Sequence, residues 1–265
     1  MLKDITLGQY FPGDTVAHRL DPRTKQLLVI VYIVGLFNAV GWWSYAFVVV
    51  ITGLCMAVSK IRPAAAFKGL KPVIFIIILT ALLNIFYTKG TPIIEGWIIT
   101  WEGIEKAVMM SVRIILLIVG TFLLTYTTSP IALTDGLEIL LNPLKKIKVP
   151  VHEMSMMMSM ALRFIPTLIE ETDKIMSAQK ARGADFETGN LMQRAKALLP
   201  ILVPLFVSSF RRADELAVAM ESRCYHGGKG RTRMKTLRMQ GIDFLALLLG
   251  AVFLAAIFVL KKFGL

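Results

Sequence analysis

The chain has 265 residues, of which 55% are hydrophobic and only 18% charged, and its mean hydropathy is +0.65. That composition excludes disordered, collagen-like and disulfide-scaffold classes and departs from an ordinary water-soluble domain, so a membrane protein is expected. Lys and Arg outnumber Asp and Glu by 30 to 18, a formal net charge of +12; in a membrane protein the placement of that charge reports orientation more than it reports a nucleic-acid partner.

The first 21 residues carry Asp4, Asp14 and Asp21 and no apolar core, so no cleaved signal peptide is expected. Four stretches without Asp, Glu, Lys or Arg follow: Gln26–Ser59 (34 residues), Pro72–Thr88 (17), Ile114–Thr134 (21) and Phe244–Leu260 (17). Crossing a hydrocarbon layer of about 30 Å takes about 20 helical residues, with about 17 as the lower limit. The first stretch is long enough to cross twice, breaking at Asn38-Ala39-Val40-Gly41. Spans are therefore predicted near 26–40, 43–59, 72–88, 107–127 and 243–260. The fold class read here is an all-α membrane protein with about five transmembrane helices and a cytoplasmic insertion of long amphipathic helices. Its divisions are 1–127 (four spans), 128–242 (the insertion) and 243–265 (the last span).

Sorted by alternate sides of these spans, twenty-five of the thirty cations fall on one side and four (Lys89, Lys106, Lys261, Lys262) on the other, with Arg113 inside the fourth span. The positive-inside rule then places the N-terminus in the cytoplasm and the C-terminus outside, in the cell membrane. Trp42, Trp43, Trp97 and Trp101 all fall on the external side, as an interfacial aromatic belt requires. Arg113 reads either as part of a solute path or as a side chain snorkelling to the outer interface.

Within the insertion, Met154, Met157, Met158, Ala161, Leu162, Ile165, Leu168 and Ile169 recur at helical spacing and predict an amphipathic helix of nearly thirty residues, kinked at Pro166. A second is predicted from Asn190 to about Arg223, bent by Pro200 and Pro204, with the uncharged core Ala197–Phe210. A shorter amphipathic piece, Ile131–Leu141, precedes them. The two long helices end alike. Ala181-Arg182-Gly183 and Ser222-Arg223-Cys224 each set an arginine among small residues in the last turn. A cation there offsets the helix dipole, and such a tip can also enter a narrow groove and present a fork of donors to a carboxylate or carbonyl. The run Met154–Met160 reads either as core filler or as an adaptable binding surface. Glu170, Glu171 and Asp173 read as a solvated face or as partners of nearby cations.

No phosphate-binding glycine loop occurs, since Gly227–Thr232 has its composition in the wrong order. With three histidines in all, a His-built metal site is not expected, and Cys55 and Cys224 suggest no disulfide. The spans hold almost no ionisable side chain besides Arg113, which disfavours transport through this chain alone; a self-contained carrier or channel is the alternative reading.

At the two arginine tips the sequence resembles the transmembrane coupling subunit, or T component, of energy-coupling factor (ECF) transporters. Ala181-Arg182-Gly183 matches the family motif in full, whereas Ser222-Arg223-Cys224 keeps only its arginine, and Asp21-Pro22-Arg23-Thr24-Lys25 is similar to the family's N-terminal pattern. The resemblance implies a non-catalytic subunit of an ABC-type importer of vitamins or metal ions. It would bind no cofactor itself, ATP and Mg being held by two partner ATPase subunits. Ala181, Arg182, Gly183, Ser222, Arg223 and Cys224 would dock the ATPases. Met154, Met157, Met158, Ala161, Leu202, Leu205 and Phe206 would form an apolar platform for a small substrate-binding membrane subunit, the S component.

Overall fold

The computed structural model describes residues 10–91, 99–184, 186, 190–228 and 236–263, all its elements being helical. It divides into two compact units, one of Gly8–Leu140 with Thr236–Leu265 and one containing Leu141–Lys235.

The first unit holds α1 (Val16–Arg19), α2 (Pro22–Asn38), α3 (Gly41–Ser59), α4 (Pro63–Leu70), α5 (Ile74–Tyr87), α6 (Trp101–Thr127), α7 (Pro130–Leu140) and, from the far end of the chain, α10 (Gly241–Lys262). Among the described residues, α3, α6 and α10 are long and apolar enough to cross a membrane. The helices α2 and α5 are shorter. Pro22 at the first helical position and the Ala39-Val40 link confine α2 to 17 residues, about 26 Å at 1.5 Å per residue. A 3₁₀ turn at Lys71–Val73 leads into the 14 residues of α5. The sequence-derived start of the fourth span, near 107, falls six residues inside α6, because Thr100 caps that helix early by accepting a hydrogen bond from the Gly103 amide at 3.2 Å.

Close packing follows small residues, as expected where lipid supplies no hydrophobic contrast between helices. Gly35 on α2 faces Phe253 and Ile257 of α10, where a Cβ would stand 2.7 Å from the Phe253 ring. Gly250 on α10 returns the arrangement against Leu28. The buried core joins Leu36, Tyr45, Val48, Leu116, Phe253 and Ile257 from four helices.

Polar contacts fix the two ends of this bundle. At one end the buried Asp243 accepts from the Asp21 amide at 2.8 Å and from the Gln240 amide at 2.7 Å. Beside it Lys25 donates to the carbonyls of Thr127 and His18, at 3.0 and 3.2 Å, and Arg23 to that of Leu237 at 3.0 Å. The starts of α2 and α10 and the end of α6 are thereby tied together, which satisfies backbone groups that a helix end leaves unpaired. At the other end Lys261 donates to Asn38 at 2.9 Å and Trp42 to Glu105 at 3.0 Å. Arg113 belongs to this end: its guanidinium donates to the Ala39 carbonyl at 3.3 Å and lies over the rings of Phe37 and Tyr45, at 6.0 and 5.7 Å from their centroids. Residues 105–113 of α6 lie beside the α2–α3 turn, so a residue well inside the helix sits level with the end of its neighbours. There a carbonyl and two ring faces surround the guanidinium in place of water.

Candidate functional site

The second unit is built on α8 (Val151–Ala181) and α9 (Leu191–Glu221), each 31 residues long and each amphipathic. Asn190 starts α9 through a reciprocal capping box with Gln193. Pro166 lies inside α8, and Pro200 and Pro204 inside α9, as their positions in the sequence require. Three cross-contacts fix the pairing. The Gln179 carboxamide reaches the Pro200 carbonyl at 3.5 Å, Arg212 pairs with Glu171 at 2.7 Å, and the Tyr225 hydroxyl meets the Met156 sulfur at 3.1 Å. Residue numbers rise on one helix as they fall on the other, so α8 and α9 run antiparallel.

Antiparallel pairing puts the two arginine tips at opposite ends of the pair. Arg223 lies level with about Met158 of α8, which leaves about 24 helical residues, or ~36 Å, between the tips along the axis. Each tip has the same backbone. At the end of α8 the Gly183 amide donates to the Lys180 carbonyl and the Ala184 amide to that of Gln179, both at 3.0 Å, with Gly183 left-handed at φ +89°. At the end of α9 the Cys224 amide donates to Glu221 at 2.9 Å and the Tyr225 amide to Met220 at 3.0 Å, with Cys224 left-handed at φ +56°. Both are Schellman ends, and Arg182 and Arg223 occupy the same position in them, just before the left-handed residue. The cysteine that departs from the sequence motif thus adopts the glycine conformation. Ala181, Arg182, Gly183, Ser222, Arg223 and Cys224 are all exposed. Among the described residues neither guanidinium has an ion-pair or hydrogen-bond partner.

The apolar candidates divide between the two ends. Met154, Met157 and Met158 are exposed, Met157 at 61%, as is Ala161, and the pairing register places them beside the Arg223 tip. Leu202 and Phe206 are exposed, Phe206 at 66%, with Leu198, Leu199, Val203, Val207 and Phe210 extending the same surface. That surface lies along the half of the pair nearer Arg182. Leu205 is half-buried and Ile201 is 4% exposed; both belong to the face that Ser208 and Arg212 turn toward α8. The Met run and the α9 stretch are therefore not side by side.

Sequence reasoning missed the clasp in the middle of the pair. Glu171 accepts from Arg212, and hydrogen bonding from the Ser208 hydroxyl, followed by the guanidinium of Arg212, holds its carboxyl below the usual carboxylate range. The acidic group Glu170-Glu171-Asp173 flagged it only as one of several possible cation partners. Which cation answers it depends on the antiparallel register, which no local pattern encodes. Among the described residues no group of three or more His, Cys, Asp or Glu side chains could hold a metal ion.

A family model described as cobalt transport protein, CbiQ, matches residues 13–235. Similar proteins include the energy-coupling factor transporter transmembrane protein EcfT of Clostridium kluyveri, 57% identical over 256 residues covering 95% of each chain. The protein of the same name from Ruminiclostridium cellulolyticum is 51% identical over 98% of each chain, and that of Bacillus subtilis 47% identical over 98% of this chain and 100% of its own. The chain belongs to this transporter family. It is a transmembrane T component of ECF transporters, and the matched region runs through the ends of both long helices.

Proposed function

We propose that the α8–α9 pair couples two ATPase subunits to a substrate-binding S component. Arg182 docks one ATPase and Arg223 the other, each guanidinium entering a groove as a fork of donors while the Schellman turn keeps the tip narrow. The observation that carries this reading is the match of the two tips: the same backbone, the same arginine position, both exposed, at opposite ends of one helical pair. Two equivalent sites ~36 Å apart suit two copies of one kind of partner, or two closely related ones. The long helices carry movement of the ATPases, driven by their ATP and Mg, from the tips to the exposed apolar surfaces. There the S component would reorient and release a vitamin or metal ion into the cytoplasm, on the side facing the insertion. The matched model's description names cobalt; in this reading the S component, and not this chain, chooses the cargo.

The test is co-purification of the whole transporter carrying Arg182→Glu, Arg223→Glu or both. Each single variant is expected to retain one ATPase. The double variant should retain neither, with uptake lost and membrane insertion intact. Removing one member of a desolvated, hydrogen-bonded charge pair costs ~2–5 kcal/mol, a loss of at least tenfold in affinity. Full ATPase retention and uptake in the double variant would refute the assignment.

A further inference from the structure

At the end of the bundle that carries the α2–α3 turn, a cavity of about 240 Å³ opens between α3, α5 and α6. It is several times the volume of a water molecule, ~30 Å³. Its wall on α6 is Lys106, Met109, Met110 and Arg113, residues at spacings of three, four and seven that share one helical face. The two cations stand two turns, ~10.5 Å, apart along that face. Opposite them are Tyr45 and Asn84, with Ala39, Val40 and Gly41 at the turn.

Two features of this lining are left unexplained by the fold. Tyr45 is only 5% exposed, yet among the described residues its hydroxyl has no hydrogen-bond partner, and the Arg113 Nε is likewise buried without one. Buried donors without acceptors are costly and uncommon, and in a site also bearing Lys106 they call for an anion. Among the described residues no carboxylate lines the cavity. The nearest ones on α6 are engaged elsewhere: Glu105 accepts from Trp42 at 3.0 Å, and Glu102 from the Thr91 amide at 2.8 Å. The setting specifies the anion further. The cavity lies level with the ends of α2 and α10, where Lys261 meets Asn38, at the height of a headgroup for helices that cross a bilayer. Its rim is apolar and exposed at Val40 and Met110, with Phe37 beside it.

We propose that this cavity binds the phosphate of an anionic phospholipid from the adjoining leaflet. Arg113 and Lys106 flank the phosphate, the Tyr45 hydroxyl donates to one of its oxygens, and the acyl chains run along the apolar rim. Hydrogen bonds from Arg and Lys to phosphate oxygens are charge-assisted and of the strong kind. The bound lipid would supply the acceptors that the protein itself withholds.

The test uses the full chain in its complex, delipidated by detergent exchange and titrated with phosphatidylglycerol, bound lipid being counted by native mass spectrometry. One tightly held phosphatidylglycerol per chain is expected, displaced by neither phosphatidylcholine nor inorganic phosphate. Arg113→Gln with Lys106→Gln should weaken it at least tenfold, as loss of charge-assisted hydrogen bonds predicts. Tyr45→Phe removes one oxygen and no charge; it should weaken binding roughly threefold, the loss of a single neutral hydrogen bond, with no fall in thermal midpoint. Unchanged retention in the double variant and in Tyr45→Phe, or displacement by millimolar phosphate, overturns the proposal.

Discussion

Cys224 and Gly183 offer a reciprocal pair of substitutions whose signs are set by backbone geometry alone. An L-residue in the left-handed region crowds its Cβ against the following carbonyl, at ~1–2 kcal/mol, and Cys224 stands there at φ +56°. Glycine removes that crowding but loses ~0.5–1 kcal/mol more chain entropy on folding. Cys224→Gly should therefore stabilise the end of α9 by a net ~0.5–1 kcal/mol. Gly183 holds the matching position at φ +89°, and no atom lies within 4 Å of where a Cβ would be built. Gly183→Ala thus meets no packing clash, only backbone strain less the chain entropy that glycine costs, and should loosen the end of α8 by the same net ~0.5–1 kcal/mol. Hydrogen exchange at the Tyr225 and Ala184 amides reads the effect directly, because these donate the longest-range bonds of the two turns, to Met220 and Gln179. Since 1.4 kcal/mol is tenfold, protection should rise about two- to fivefold at Tyr225 and fall about two- to fivefold at Ala184. A loss of protection at Tyr225 in Cys224→Gly, or none at Ala184 in Gly183→Ala, would show that the left-handed residues do not set the two tips.

Three further outcomes are expected. Lys placed at both Met157 and Met158, which are exposed, should release the S component while leaving both ATPases bound; unchanged S-component recovery in pull-down would remove those residues from the platform. A cysteine at Thr91 should react with an impermeant thiol reagent added outside intact cells and one at Lys229 should not, and the opposite pattern would invert the topology. Because Glu171 is held below the usual carboxylate range, its contact with Ser208 and Arg212 supports the α8–α9 pair above the ordinary carboxylate pKa and is lost as pH falls through the lowered folded value. Exchange protection along the pair should weaken at acidic pH in the native chain and lose that dependence in Glu171→Gln; an equal acid response in both would assign the loss to other groups.

The helices themselves were legible from the residues. Apolar runs bounded by charge located α3, α6 and α10, since burial in hydrocarbon is a property of the segment and needs no partner. Heptad-like apolar spacing, Asn190 ahead of α9 and Gly183 after α8 marked the insertion helices to within three residues, because periodicity and capping are local. The second tip was harder to read. Ser222-Arg223-Cys224 has no glycine, and only its backbone showed that a cysteine can take the left-handed place.

What the sequence determined alone is therefore the inventory: an all-helical membrane chain, two long amphipathic helices and an arginine at the end of each. The tertiary structure decided their mutual placement. The antiparallel register of α8 and α9, carried by Gln179 with Pro200 and Glu171 with Arg212, sends the tips to opposite ends and separates the Met run from the α9 apolar surface. Packing among α2, α3 and α6 likewise set the level of Arg113, which depends on how far the α2–α3 turn reaches along α6. Both are relations between residues far apart in sequence; they are fixed by packing between helices, and no window of local pattern contains them.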